Sequence, residues 1–130
     1  MQHRIFAVDD HPVMLNAYLA VIGLETDFET CGSATSGAEA LSLLADLGSD
    51  CDLVVTDYRM PGMSGADLTR HLRAERPTLP VIVVSAHEDD VFVREAMDAG
   101  AAAFLRKRDL VETLVPTIRA VLDGLRRSVP

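Results

Sequence analysis

The sequence predicts an α/β fold, a five-stranded parallel sheet doubly wound with helices on both faces. Three observations predict it. Short, mostly apolar runs recur along the chain, longer segments with helical spacing separate them, and capping or stop residues fall between the two kinds. The strand candidates are residues 5–8, 53–56, 81–85 and 102–105, apolar enough for buried parallel strands, with 28–32 a weaker fifth. The helical candidates are residues 13–22, 37–47, 66–74, 91–99 and 110–125. Ser64 stands three residues before Asp67, and Asp109 three before Glu112, the spacing of a helix start. Gly23, Gly48 and Gly100 follow periodic stretches as stops. Right-handed crossovers then cover both faces of the sheet, and ligands are expected at the carboxyl ends of the strands, beside the switch in strand order.

Length and composition narrow the function. A chain of 130 residues fits one domain with a substantial core, and 48% hydrophobic with 25% charged residues is ordinary for a folded globular protein. A net charge of -8 excludes nucleic-acid binding by counterion release, which needs clustered Lys and Arg. No apolar run approaches the roughly 20 residues of a membrane span. Cys31 and Cys51 have no metal-ligand spacing and the first residues no secretory leader, so free, buried thiols in a reducing cytoplasm are expected. Met60, Met63 and Met97 read as packing residues, and His3, His11, His71 and His87 share no ligand spacing.

The expected strand ends carry the chemistry. The first run ends in Asp9-Asp10, the third in Asp57 and the fourth in Ser85, and Arg106-Lys107-Arg108 follows the fifth. Three carboxylates crowded into a partly dehydrated cleft repel one another unless one is protonated or a hard cation joins them. Mg²⁺ suits such a site, because it takes oxygen ligands from one or two carboxylates, water and a phosphate. Neither a G-x-G-x-x-G turn nor a P-loop is present; Asp9-Asp10-His11-Pro12 occupies that turn and would repel a bare phosphate. Singly, each residue has a plainer reading: Asp10 as an N-cap, Asp57 as a turn residue, Ser85 as a cap, Lys107 as a solvated charge.

Four segments in order, Asp9-Asp10-His11-Pro12, Val54 through Gly65 around Asp57, Val83-Val84-Ser85-Ala86 and Ala99 through Lys107, resemble the receiver domains of two-component response regulators, over nearly the whole chain. The likeness is greatest to receivers of LuxR-type transcription factors. It implies a flavodoxin-like sheet of order 2-1-3-4-5 and a receiver spanning residues 1–127, with 128–130 opening a linker. It also implies that Asp57 accepts a phosphoryl group from a sensor histidine kinase. Asp9, Asp10, Asp57 and the backbone carbonyl of Arg59 would hold Mg²⁺, Ser85 and Lys107 would meet phosphoryl oxygens, and the rotamer of Phe104 would follow Ser85. No turnover of an independent substrate is implied.

Departures from the family pattern are equally legible. Arg108 follows the lysine where proline is common, leaving the isomer of that peptide open. Arg59 and His87 occupy positions that tune phosphorylation and hydrolysis, and Arg59 is expected to reach Asp9 or Asp10. Pro116 falls inside the last helix; it should kink there, or residues 110–115 should form a separate turn. Two outputs remain: a DNA-binding domain beyond the linker, with dimerisation on phosphorylation, or a stand-alone receiver or phosphorelay intermediate. An independent phosphatase is disfavoured because Arg59 stands where a D-x-D site needs its second aspartate.

Overall fold

A computed structural model describes residues 2–86 and 90–128. Five strands form one parallel sheet in the order β2-β1-β3-β4-β5. They are β1 (His3–Val8), β2 (Phe28–Ala34), β3 (Leu53–Asp57), β4 (Val81–Ser85) and β5 (Ala103–Arg106). The helices α1 (Pro12–Gly23), α2 (Gly37–Leu47), α3 (Gly65–Glu75), α4 (Asp90–Asp98) and α5 (Leu110–Ser128) alternate with them.

Side-chain alternation along each strand divides the core in two. Ile5, Ala7, Val55, Ile82 and Val84 face α1 and α5, meeting Tyr18, Ile22, Leu114 and Ile118. Phe6, Val8, Val54, Val81 and Val83 face α2, α3 and α4, meeting Leu44, Leu68, Leu72 and Ala96. β3 and β4 are buried on both faces, which is why they read as continuous apolar runs.

Local chemistry sets the helix starts. Ser64 and Asp67 form a reciprocal capping box at α3. Ser36 caps α2 by accepting the Glu39 N–H at 3.1 Å. Pro12 opens α1, where its missing N–H costs nothing. The residue before that helix is His11, so Asp10 is not its cap. α5 begins at Leu110, directly after Asp109 and with Glu112 in its first turn, where the Asp109–Glu112 spacing predicts the start, and a 3-10 turn, Lys107–Asp109, leads into it from β5.

α5 is a single helix through Pro116, so the separate-turn reading of residues 110–115 does not hold. Interior proline costs about 3 kcal/mol. Leu110, Leu114 and Ile118 lie on one stripe across it, all buried, and burial at roughly 2 kcal/mol each outweighs that cost.

Other expectations are corrected. Met97 is 45% exposed rather than packed. Cys51 is buried, but Cys31 is only half-buried; both are free thiols. No cis peptide occurs among the described residues, so Lys107–Arg108 is trans. His87, Val129 and Pro130 lie outside the described residues, and 126–128 continue α5. Among the described residues no helix is long and apolar enough to cross a membrane.

Candidate functional site

The order of the sheet reverses between β1 and β3, since the chain moves outward to β2 and then returns past β1. Loops diverge there and leave a crevice at the carboxyl ends. Val8 pairs with Thr56 across it, placing Asp9 beside Asp57. Asp57 pairs with Val84, so Ser85 ends the next strand over, and Lys107 follows β5. The turn after Asp57 folds tightly: the Gly65 N–H donates to the Tyr58 carbonyl at 2.7 Å. A Cβ on Gly65 would stand 2.3 Å from the Asp57 carbonyl oxygen, so only glycine lets α3 begin this close.

The cleft gathers charge with little water around it. Asp9 is fully buried and Asp57 is 3% exposed. Lys107 Nζ lies 3.3 Å from Asp9 Oδ2 and 3.2 Å from Asp57 Oδ1, bridging them. The buried Tyr18 hydroxyl donates to Asp9 Oδ2 at 2.9 Å, and the His11 N–H to Asp9 Oδ1 at the same distance. Burial, and then the Asp9 charge, push the Tyr18 phenol far above its usual range. Desolvation also pushes the Asp57 carboxyl up, to about 6; Asp9 adds repulsion that Lys107 partly offsets.

The donor set fits a hard divalent cation. Asp9, Asp10, His11 and Asp57 each offer a ligand atom, all within 4.8 Å of one another. Among the described residues Asp10 Oδ1 is buried without a hydrogen-bond partner. His11 Nδ1 stands 3.1 Å from it, yet the imidazole's hydrogen bond goes to Asp9 Oδ1. Carboxylate oxygens, one of them unpartnered, around a lysine ammonium are what Mg²⁺ would join.

The response regulator receiver domain model matches residues 5–119. This chain belongs to the response regulator receiver family. It is 32% identical over 127 residues to the response regulator GacA of Pseudomonas aeruginosa, covering 98% of this chain and 58% of that protein. It is 36% identical over 121 residues to the transcriptional regulatory protein NarL of Mycobacterium tuberculosis, covering 92% and 53%. The receiver thus spans somewhat more than half the length of the curated relatives it matches. The solved signal receiver domain of the same NarL superposes with a TM-score of 0.81 at 34% identity, covering 96% of this chain and 97% of that one. A LuxR-family response regulator from Aurantimonas sp. SI85-9A1 gives 0.88 at 30%, covering 95% and 87%.

Most residues singled out in the sequence converge on this receiver's cleft: Asp9, Asp10, Asp57, Ser85 and Lys107. Ser85 is 1% exposed and pairs with Arg106. Phe104 sits two pairings back, opposite Val83, half-buried against the α4 side of the core. Arg59 departs from expectation, because Lys107 is the cation bridging the carboxylates while the Arg59 guanidinium lies over the Phe92 ring, 6.0 Å from its centroid. Next to it, Tyr58 donates its hydroxyl to Glu95 and leans on Phe92, tying the turn after Asp57 to α4.

Two contributors escaped the sequence. Tyr18 had a signal: with Leu15 and Ile22 it lies on the buried stripe of α1, and a buried phenol needs a polar partner. His11 was set aside because the four histidines share no spacing, whereas its neighbours here are carboxylates contributed by the same turn.

Proposed function

We propose that Asp57 is the phosphoacceptor of this receiver, modified by a sensor histidine kinase in a Mg²⁺-dependent step. One observation carries the reading: a buried carboxylate at the switch point, pushed up to about 6 yet ionised at neutral pH, faces a lysine ammonium and two further carboxylates. An Asp57 carboxylate oxygen attacks phosphorus, the donor's P–N bond breaks, and an acyl phosphate forms that water can later cleave. Asp9, Asp10, the Asp57 carboxylate and the Arg59 carbonyl would hold the ion. When bound, Mg²⁺ neutralises charge on the phosphoryl oxygens.

The chain's own groups do the rest. Lys107, already 3.2 Å from Asp57, pairs with a phosphoryl oxygen once the charge arrives. The Ser85 hydroxyl turns to a second oxygen, and Phe104 follows it inward, altering the surface between α4 and α5. Asp57 is consumed once per cycle and regenerated, so no independent substrate is turned over.

Relatives that are transcriptional regulators favour a DNA-binding effector as output; dimerisation on phosphorylation is part of the same proposal. A DNA-binding LuxR-family response regulator from Staphylococcus aureus, 25% identical with a TM-score of 0.84, points the same way. The receiver itself acts in the cytoplasm, where kinase and effector meet.

Acetyl phosphate with Mg²⁺ should add one acid-labile phosphoryl group to the wild type and none to Asp57→Asn. Equal labelling of both would place the acceptor elsewhere. Loss of labelling in EDTA tests the metal separately.

A further inference from the structure

The cleft holds one side chain that phosphoryl transfer onto a carboxylate does not use. His11 follows Asp9-Asp10 and precedes Pro12, and three constraints fix its backbone. A residue before proline is kept out of the helical region, and His11 is extended, with φ -101° and ψ 113°. Its N–H donates to Asp9 Oδ1 at 2.9 Å, and its carbonyl accepts the Leu15 N–H at 3.0 Å, the first bond of α1. The backbone is thus tied to a buried carboxylate on one side and to a helix on the other, while the imidazole is 65% exposed.

That placement sets Nδ1 among carboxylate oxygens. It stands 3.1 Å from Asp10 Oδ1 and 3.3 Å from Asp9 Oδ1. In an octahedral shell with bonds near ~2.1 Å, adjacent ligand atoms lie roughly 3 Å apart, so both separations already suit one cation. Asp9 Oδ2 is engaged elsewhere, by the Tyr18 hydroxyl and Lys107, which leaves Oδ1 for the His11 side. The contact with Asp10 is not a hydrogen bond, since among the described residues Oδ1 is buried with no hydrogen-bond partner. Neutral imidazole carries one N–H and one lone pair. In a side chain this exposed, water can move the proton to the other ring nitrogen and free the Nδ1 lone pair for an ion.

We propose that His11 Nδ1 is a ligand in this site beside Asp9, Asp10 and Asp57, and that it biases the site toward first-row divalent transition ions over Mg²⁺, an inference resting on the cleft being the cation site. Carboxylates alone suit Mg²⁺, which takes oxygen and keeps water where the protein offers none. A nitrogen ligand changes that comparison. Transition ions bind such sites more firmly, in a series that rises from Mn²⁺ to Co²⁺.

The test uses the full 130-residue chain with Mg²⁺, Mn²⁺ and Co²⁺, each alone, and reads affinity by isothermal titration calorimetry. His11→Asn keeps a polar side chain on an exposed position but removes the imidazole. It should weaken Co²⁺ binding most, by about tenfold or more, Mn²⁺ less and Mg²⁺ least. Equal losses for the three ions, or none, overturn the proposal. Electron spin echo modulation of the Mn²⁺-loaded wild type should show a coupled nitrogen whose frequency changes on growth with isotope-labelled histidine. The same signal should be missing from His11→Asn. Oxygen ligands only in the wild type, or the nitrogen retained in the variant, overturns it as well. Asp57→Asn separates the two assignments, because it should weaken all three ions. Binding that depends on Asp57 but shows no coupled nitrogen removes the role of His11 alone, whereas ions indifferent to Asp57→Asn lie outside the cleft and sink both.

Discussion

Where α5 crosses the turn between α1 and β2, Arg119 donates to Asp27 at 2.7 and 3.0 Å and to Glu25 at 2.8 Å, and lies 4.6 Å from the centroid of the Phe28 ring. In the cleft, Asp9 and Asp57 share one lysine with Asp10 close by, and among the described residues an oxygen of Asp10 has no hydrogen bond. The two regions use the same residue types to opposite ends. At the corner the hydrogen bonds from Arg119 hold Asp27 down, to about 2, in a fork open to water. In the cleft dehydration pushes Asp57 up, to about 6, and the folded apo protein carries that cost. A saturated cluster ties elements together; an unsaturated one is ready for an incoming cation and phosphoryl group.

Opposite shifts give opposite pH signatures. The Asp27 contribution is present above its ordinary value and lost as pH falls through about 2. For Asp57 the folded state holds its proton more tightly than the unfolded chain, so stability is greatest below 3.8 and declines as pH rises through about 6.

The largest effect should come from removing the cation in the cleft. Lys107→Ala leaves Asp9 and Asp57 facing each other without compensation, and breaking a buried pair costs roughly 3–5 kcal/mol. Urea denaturation in EDTA should show that loss, and Mg²⁺ should restore most of it. An unchanged midpoint would make Lys107 a solvated charge and erase the contrast with the corner.

Asp57→Asn comes next, with the sign reversed. A carboxyl held near 6 against the ordinary 3.8 corresponds to roughly 3 kcal/mol. Metal-free, the variant should therefore exceed the wild type by about that much at pH 7, and the advantage should shrink toward pH 4. A pH-independent difference would mean that shape rather than charge sets the cost.

Tyr18→Phe removes the hydroxyl that donates to Asp9 and keeps the ring in the core. About 1–2 kcal/mol should be lost, the usual consequence of stripping one partner from a buried charged group. Isothermal titration should also show altered Mg²⁺ affinity, since an Asp9 oxygen is freed. Identical stability and affinity would confine Asp9's support to His11 and Lys107.

The smallest effect belongs to Arg119→Ala, because exposed ion pairs contribute little. A slight fall in melting temperature is expected, the same with and without Mg²⁺. A fall that Mg²⁺ abolishes would link the corner to the cleft and remove the comparison.

The sequence by itself determined the fold class, the strand order through family likeness, and nearly every cleft residue, for a physical reason. Parallel strands buried on both faces must be apolar throughout, so Asp9-Asp10, Asp57 and Ser85 stood out where each run stopped. Capping is equally local, which made the Ser64–Asp67 box readable from four residues. Contacts between distant segments were decided only by tertiary structure. Which cation bridges the carboxylates depended on the placement of the turn after β5 against β1 and β3, and it selected Lys107 over Arg59. The Tyr18 hydroxyl found Asp9 because α1 packs back over its own strand. The cost of Pro116 was overridden by a buried stripe that exists only once α5 lies on the sheet. Local propensity names the residues, but burial and long-range packing decide which charges meet.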